Sequence, residues 1–88
     1  MQLARFLNSV FKNDGFILVD AQSKNYIIGS PKSDKPIKVK ILDKKLYYKL
    51  LLHPDLYFGE AYTNGDIIIE NGSLSEFLDL ALMNFGRN

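Results

Sequence analysis

Glu60 and Asp66, two carboxylates with Tyr62 between them, are the residues of this chain whose types and spacing come closest to a reactive pair. They sit in the stretch FGEAYTNGDIIIENGSLSEF (58–77), which holds four carboxylates. Paired carboxylates serve as general acid and base, or hold a cation. Here the pattern places them on different elements. Glu60 falls on a short helix and Asp66 opens a strand, so solvation or a backbone hydrogen bond accounts for each. The single histidine, His53, has no second histidine and no cysteine to complete a metal site. It precedes a helix-stopping proline, which suits a helix C-terminus or a packing role. Ser73 and Ser75 lack a histidine in a triad context. The six glycines are isolated from one another, so no phosphate-binding loop is present. The sequence therefore offers no catalytic residue, no metal ligands and no cofactor site.

The elements that must position these residues follow from periodicity. Leu3, Phe6, Leu7, Val10 and Phe11 form one helical stripe. Asn13-Asp14-Gly15 ends it, with Gly15 suited to a left-handed cap. FILVD (16–20) and NYIIG (25–29) read as a β-hairpin. SPKSDKP (30–36) is a lysine-rich loop with two prolines. In IKVKIL (37–42), Ile37, Val39 and Ile41 alternate with Lys38 and Lys40, so one face of the sheet is wet.

Asp43 is suited to cap the helix KKLYYKLLLH, whose inner face is Leu46, Tyr47, Leu50, Leu51 and His53. Pro54 stops that helix, and Asp55 is suited to cap a short one ending at Gly65. On it, Phe58 and Tyr62 share a side, which predicts a largely buried Tyr62 ring. DIIIE (66–70) reads as a strand, and Ser73 with Glu76 forms a capping box. Leu74, Phe77, Leu78, Ala81, Leu82 and Phe85 then make a closing helical stripe ended by Gly86, with Leu78 expected in the core. The sum is an α+β domain of order α-β-β-β-α-α-β-α. It has an antiparallel sheet of about four strands, the first three a meander, covered on one face by helices.

With 88 residues the chain fits one domain, 1–88. It contains no cysteine, so disulfides are excluded and a cytoplasmic setting is expected. No apolar run is long enough for a bilayer span, and the N-terminus lacks a signal-peptide pattern. The net charge of +1 hides an asymmetry. Residues 24–49 carry eight lysines against Asp34 and Asp43, whereas 55–79 carry six acids and no Lys or Arg. Such a split suits an anionic partner for the basic half, or two halves that complement each other.

KKLYYKLLLHPD matches locally the basic helix and His-Pro-Asp loop of J-domain cochaperones, but those domains are all-helical. A wider resemblance covers most of the chain. HPDLYFGEAYTNGDIIIENGSLSEFLDLALMN (53–84) is similar to the end of the N-terminal domain of cyclopropane-fatty-acyl-phospholipid synthases and their methyltransferase relatives. The matching positions are Asp55, Leu56, Gly59-Glu60-Ala61-Tyr62, Gly65, Asp66 and the helix from Leu74 to Phe85. DGFILVDAQSKNYIIGSP (14–31) resembles the hairpin that precedes them in that family. The strand-turn-helix NGDIIIENGSLSEFLDLAL is also similar to the one closing sterol-carrier-protein-type lipid-binding domains.

The first resemblance implies a non-catalytic N-terminal accessory domain. S-adenosylmethionine and the catalytic residues would belong to a methyltransferase domain that these residues do not include. It implies a phospholipid membrane surface or acyl chain as partner, with Lys38, Lys40, Lys44 and Lys45 as headgroup contacts. A peripheral position at the inner face of the membrane follows. Gly59, Glu60 and Tyr62 would form the seam with the catalytic domain. The alternative is a docking or dimerisation domain, with a second copy of the chain among the candidate partners and no lipid contact. Nucleic acid is not expected.

Overall fold

The computed structural model describes residues 1–85, apart from the side chain of Asp55. Its elements are α1 (Gln2–Val10), β1 (Gly15–Val19), β2 (Asn25–Gly29), β3 (Lys38–Ile41), α2 (Leu46–Leu52), α3 (Pro54–Asn64), β4 (Ile67–Glu70) and α4 (Leu74–Phe85). The α+β class and the element order agree with the sequence. The sheet does not: its strands run β2-β1-β3-β4, and it is mixed. β1 and β2 form the hairpin, with Gly15 opposite Gly29 and Val19 opposite Asn25. β3 pairs in parallel with β1, Leu18 beside Val39, so no three-strand meander forms. β4 is antiparallel to β3 at the far edge, Ile69 opposite Val39.

Two features of the sequence explain the parallel pair. The loop 30–37 is too long for a tight turn, and Pro31 and Pro36 have no amide proton to give to a ladder. β1 is the most apolar strand, buried at Phe16, Leu18 and Val19, and a strand with no polar side chain is best placed with a neighbour on each edge, in the centre of the sheet. The loop therefore crosses below the start of β1, where Asp14 fastens it. The Asp14 carboxylate accepts from the amides of Gly15 (2.8 Å) and Lys32 (3.0 Å), and its carbonyl accepts from Ser30. Ile17 donates to the Ile37 carbonyl at 2.9 Å. Asp14, at φ 65°, takes the left-handed conformation expected of Gly15. Gly15 is required for another reason: a Cβ there would run into the Ile28 carbonyl oxygen and the Ser30 amide.

The core lies between the sheet and the four helices. Phe16, Leu18, Ile28, Val39, Ile41 and Ile67 face Leu3, Leu7, Leu46, Leu50, Phe58 and Phe77. Phe77 links two layers, its ring centroid 5.1 Å from both Phe16 and Phe58. The outer edge of β2 is occupied by a side chain of α1. Asn8 accepts from the Gly29 amide at 2.8 Å and donates to the Ile27 carbonyl at 3.3 Å.

Several element ends differ from expectation. Asp43 accepts from the Lys45 amide at 3.0 Å, but this closes a turn before α2 rather than capping the helix, which starts at Leu46. Pro54 both stops α2 and opens α3, because its fixed φ suits a first helical position. Asp55 thus lies inside α3 and is not its cap. His53, between the two helices, is exposed rather than part of the inner face. Gly65 ends α3 in the left-handed conformation, φ 80°. The Ser73–Glu76 capping box forms in both directions, at 2.9 and 3.1 Å. The predicted stop at Gly86 lies outside the described residues. Four strands also exclude an all-helical J domain.

Candidate interaction surfaces

The uncovered face of the sheet carries the side chains that alternate with the core. Ile17, Ile27 and Lys38 share one row and Val19, Lys40 and Ile68 the next, with Glu70 beside Lys38. Ile27 is 65% exposed and Ile68 44%. Val19 is buried on this side, apart from the main core. Lys40 reaches diagonally across to Glu70 at 3.8 Å, so one of the two lysines is already paired. Lys44 and Lys45 are exposed in the turn before α2, just past the end of β3. The four headgroup candidates thus fall into two pairs, one on the sheet face and one at its end.

The seam candidates on α3 separate. Glu60 is exposed, and its position two residues after Phe58 turns it away from the side that Phe58 occupies. Tyr62, a turn beyond Phe58, is on that side but 42% exposed, which corrects the expectation of a largely buried ring. A Cβ added at Gly59 would meet open space. Asp66 is fixed by its backbone, its amide donating to the Ala61 carbonyl and its carbonyl accepting from Leu42. Among the described residues no group of three or more His, Cys, Asp or Glu side chains is placed to hold a metal ion.

A groove that the sequence did not single out runs between α3 and α4. It has a volume of about 230 Å³ and is lined by Pro54, Phe58, Phe77, Leu78, Ala81, Leu82 and Phe85. Leu78 was expected in the core but is 38% exposed, and Leu82 is 66% exposed. The reason is the rotation of α4, whose buried residues are Phe77 and Leu80. Asn84 holds that rotation. Its side chain accepts from the amides of Lys12 (2.8 Å) and Asn13 (2.9 Å) and donates to the Asn13 carbonyl (3.0 Å). The signal was present in the sequence: leucines at 74, 78, 80 and 82 with Phe77 and Phe85 span more of the helix than one buried stripe needs.

A larger cavity, about 440 Å³, lies beside the 30–37 loop and is lined by Asp14, Lys35, Asn71, Glu76 and Asp79 among others. Three of these polar groups are committed to the fold. Asp14 holds the loop, Glu76 completes the capping box, and Asn71 donates to the Pro36 carbonyl.

Asp20 organises the hairpin turn. Desolvation would raise its pKa. Hydrogen bonds from the Lys24 and Gln22 amides and the Tyr26 hydroxyl, with the Lys24 charge, outweigh this and hold it below the ordinary carboxylate value. Tyr26 is raised by desolvation and by its hydrogen bond to that carboxylate. No helix among the described residues is long and apolar enough to cross a membrane. No family model matches the chain, and no curated protein matches it.

Proposed function

We propose that this chain is a non-catalytic, lipid-associating accessory domain of a methyltransferase similar to the cyclopropane-fatty-acyl-phospholipid synthases, peripheral at the inner face of the membrane. The observation that carries the reading is the helix-free sheet face, where Lys38 and Lys40 stand among the exposed Ile27 and Ile68. Lysines flanked by apolar side chains suit the boundary between headgroups and acyl chains. The ammonium groups meet anionic phosphate, and the lysine stems and isoleucines meet hydrocarbon. Lys44 and Lys45, in the turn past β3, add charge at one end of the face. The Gly59-Glu60-Ala61-Tyr62 context supports the family reading. The domain holds the enzyme at the membrane, while a separate catalytic domain binds S-adenosylmethionine and transfers the methylene group.

Co-sedimentation with anionic and with zwitterionic vesicles tests the reading. Binding is expected only to the anionic ones and weakens with salt. Each lysine near such a surface contributes about 1 kcal/mol, so Lys38→Gln with Lys40→Gln should weaken binding roughly 30-fold. Equal binding by the double variant overturns the assignment to this face. No binding at low salt overturns the lipid reading as a whole.

A further inference from the structure

The outward side of a surface helix is ordinarily polar. That of α2 is not. Leu46 and Leu50 are buried, and Tyr47 and Leu51 pack against the core. This leaves Tyr48, Lys49 and Leu52 exposed, with Lys45, the N-cap residue, one turn before Lys49 on the same side. Tyr48 is 74% exposed and Leu52 67%. They are four residues apart, so they stand one above the other on that side. Four residues further, in the first turn of α3, Leu56 is exposed as well. The charge beside them has one sign. No carboxylate occurs between Asp43 and Asp55, and Lys44, Lys45 and Lys49 are all exposed. The ion pair recorded among the described residues, Lys40 with Glu70, involves none of the three. The Asp43 carboxylate accepts from the Lys45 amide, and the Lys49 ammonium lies 5.6 Å from the Tyr57 ring at the junction with α3. Tyr48, Leu52 and Leu56 line neither of the two cavities described above, so they stand as a ridge and not a hollow.

We infer that the outward ridge of α2 enters an anionic lipid surface, Tyr48 and Leu52 passing below the phosphates while Lys44, Lys45 and Lys49 meet them. A tyrosine, apolar in its ring and polar at its tip, suits the depth between headgroup and hydrocarbon. The leucine takes the hydrocarbon side, and the lysine stems let the ammonium groups reach back to the phosphates. Large apolar side chains on a ridge need a partner that closes round them, and the fluid boundary of a bilayer does so without a preformed pocket. The charge selects an anionic surface over a zwitterionic one. The inference rests on the lipid reading for its partner. It goes beyond that reading by adding an apolar contact on α2 to Ile27 and Ile68 of the sheet face.

The chain has no tryptophan, so a single introduced one reports depth. Tyr48→Trp and Ile27→Trp, made separately, are mixed with vesicles of anionic phosphatidylglycerol or of zwitterionic phosphatidylcholine, each brominated along its acyl chains. The emission of Tyr48→Trp should shift to the blue and be quenched in the anionic vesicles only. Leu52→Ser removes an exposed side chain and should leave the circular dichroism spectrum unchanged. It should weaken anionic-vesicle binding about tenfold, the scale expected from withdrawing most of one leucine from hydrocarbon. That loss should persist at high salt, which screens the lysines and not the apolar contact. A bound chain with no shift and no quenching in Tyr48→Trp overturns this inference alone, whatever Ile27→Trp reports. Equal quenching in the zwitterionic vesicles also overturns it, because the lysines would then play no part. A leucine–glutamate helical peptide that shifts the amides of Tyr48 and Leu52 when vesicles do not would make an acidic protein segment the occupant and overturn it. Dimerisation of the free chain that Leu52→Ser abolishes would do the same for a second copy. Absence of all vesicle binding at low salt overturns the lipid reading and this inference with it. The two failures are therefore told apart by whether the chain sediments with the vesicles.

Discussion

Asn84 shows how much a single polar side chain can determine. Three hydrogen bonds from its amide group join α4 to the turn after α1. Without them the Lys12 and Asn13 amides turn to solvent. Asn84→Ala should cost roughly 1–2 kcal/mol in urea unfolding, because these groups are exposed and water replaces part of the loss. A change under a few tenths would remove its role in setting α4. Asp20 gives a pH signature. Its pKa is lowered in the folded state, so its stabilisation is present above the unfolded carboxylate pKa and is lost as the pH falls through the folded value. The stability gap between the wild type and Asp20→Asn should therefore close below about pH 4. A gap that stays constant down to pH 2.5 would show that the carboxylate charge is irrelevant. At Gly15, alanine would push its methyl group against the Ile28 carbonyl and should cost roughly 1–3 kcal/mol.

At the scale of elements, every strand and helix was legible because the periods of two and 3.6 are strong here. Val39 and Ile41 against Lys38 and Lys40 give β3 directly, and Ser73 with Glu76 gives the start of α4. Pairing was harder to read, since nothing local in β3 states whether its neighbour is β2 or β1. The clues were indirect: two prolines in the connecting loop, and a β1 with no polar residue to show to water. The rotation of α4 was also hidden. Its apolar residues span too wide an arc to choose a buried side, and the choice is made by Asn84, a residue without hydrophobic signal. Leu78→Ala should accordingly cost about 1 kcal/mol or less, whereas Phe77→Ala, at a site with no exposure, should cost about 3–5 kcal/mol. Equal losses at the two positions would mean that α4 is turned differently.

For the molecule as a whole, the charge asymmetry of the sequence is only partly carried into a division between surfaces. Lys38 and Lys40 face out from the sheet together with Glu70 of β4, whereas Glu60 lies on α3 and Glu76 and Asp79 lie on α4. The halves do not simply neutralise one another; Lys40 with Glu70 is the ion pair recorded among the described residues. The placement of Asn8 has a different consequence, for the chain's colloidal fate. A fibre that grows by adding strands needs each copy to offer two open sheet edges. The Asn8 amide group already takes the Ile27 carbonyl and the Gly29 amide, so one edge is closed to addition. Growth from the β4 edge then stops once two copies have met, and no filament can propagate. Asn8→Ala should reopen the β2 edge and shorten the lag of thioflavin-positive aggregation under agitation, and an unchanged lag would show that the edge is guarded by something else.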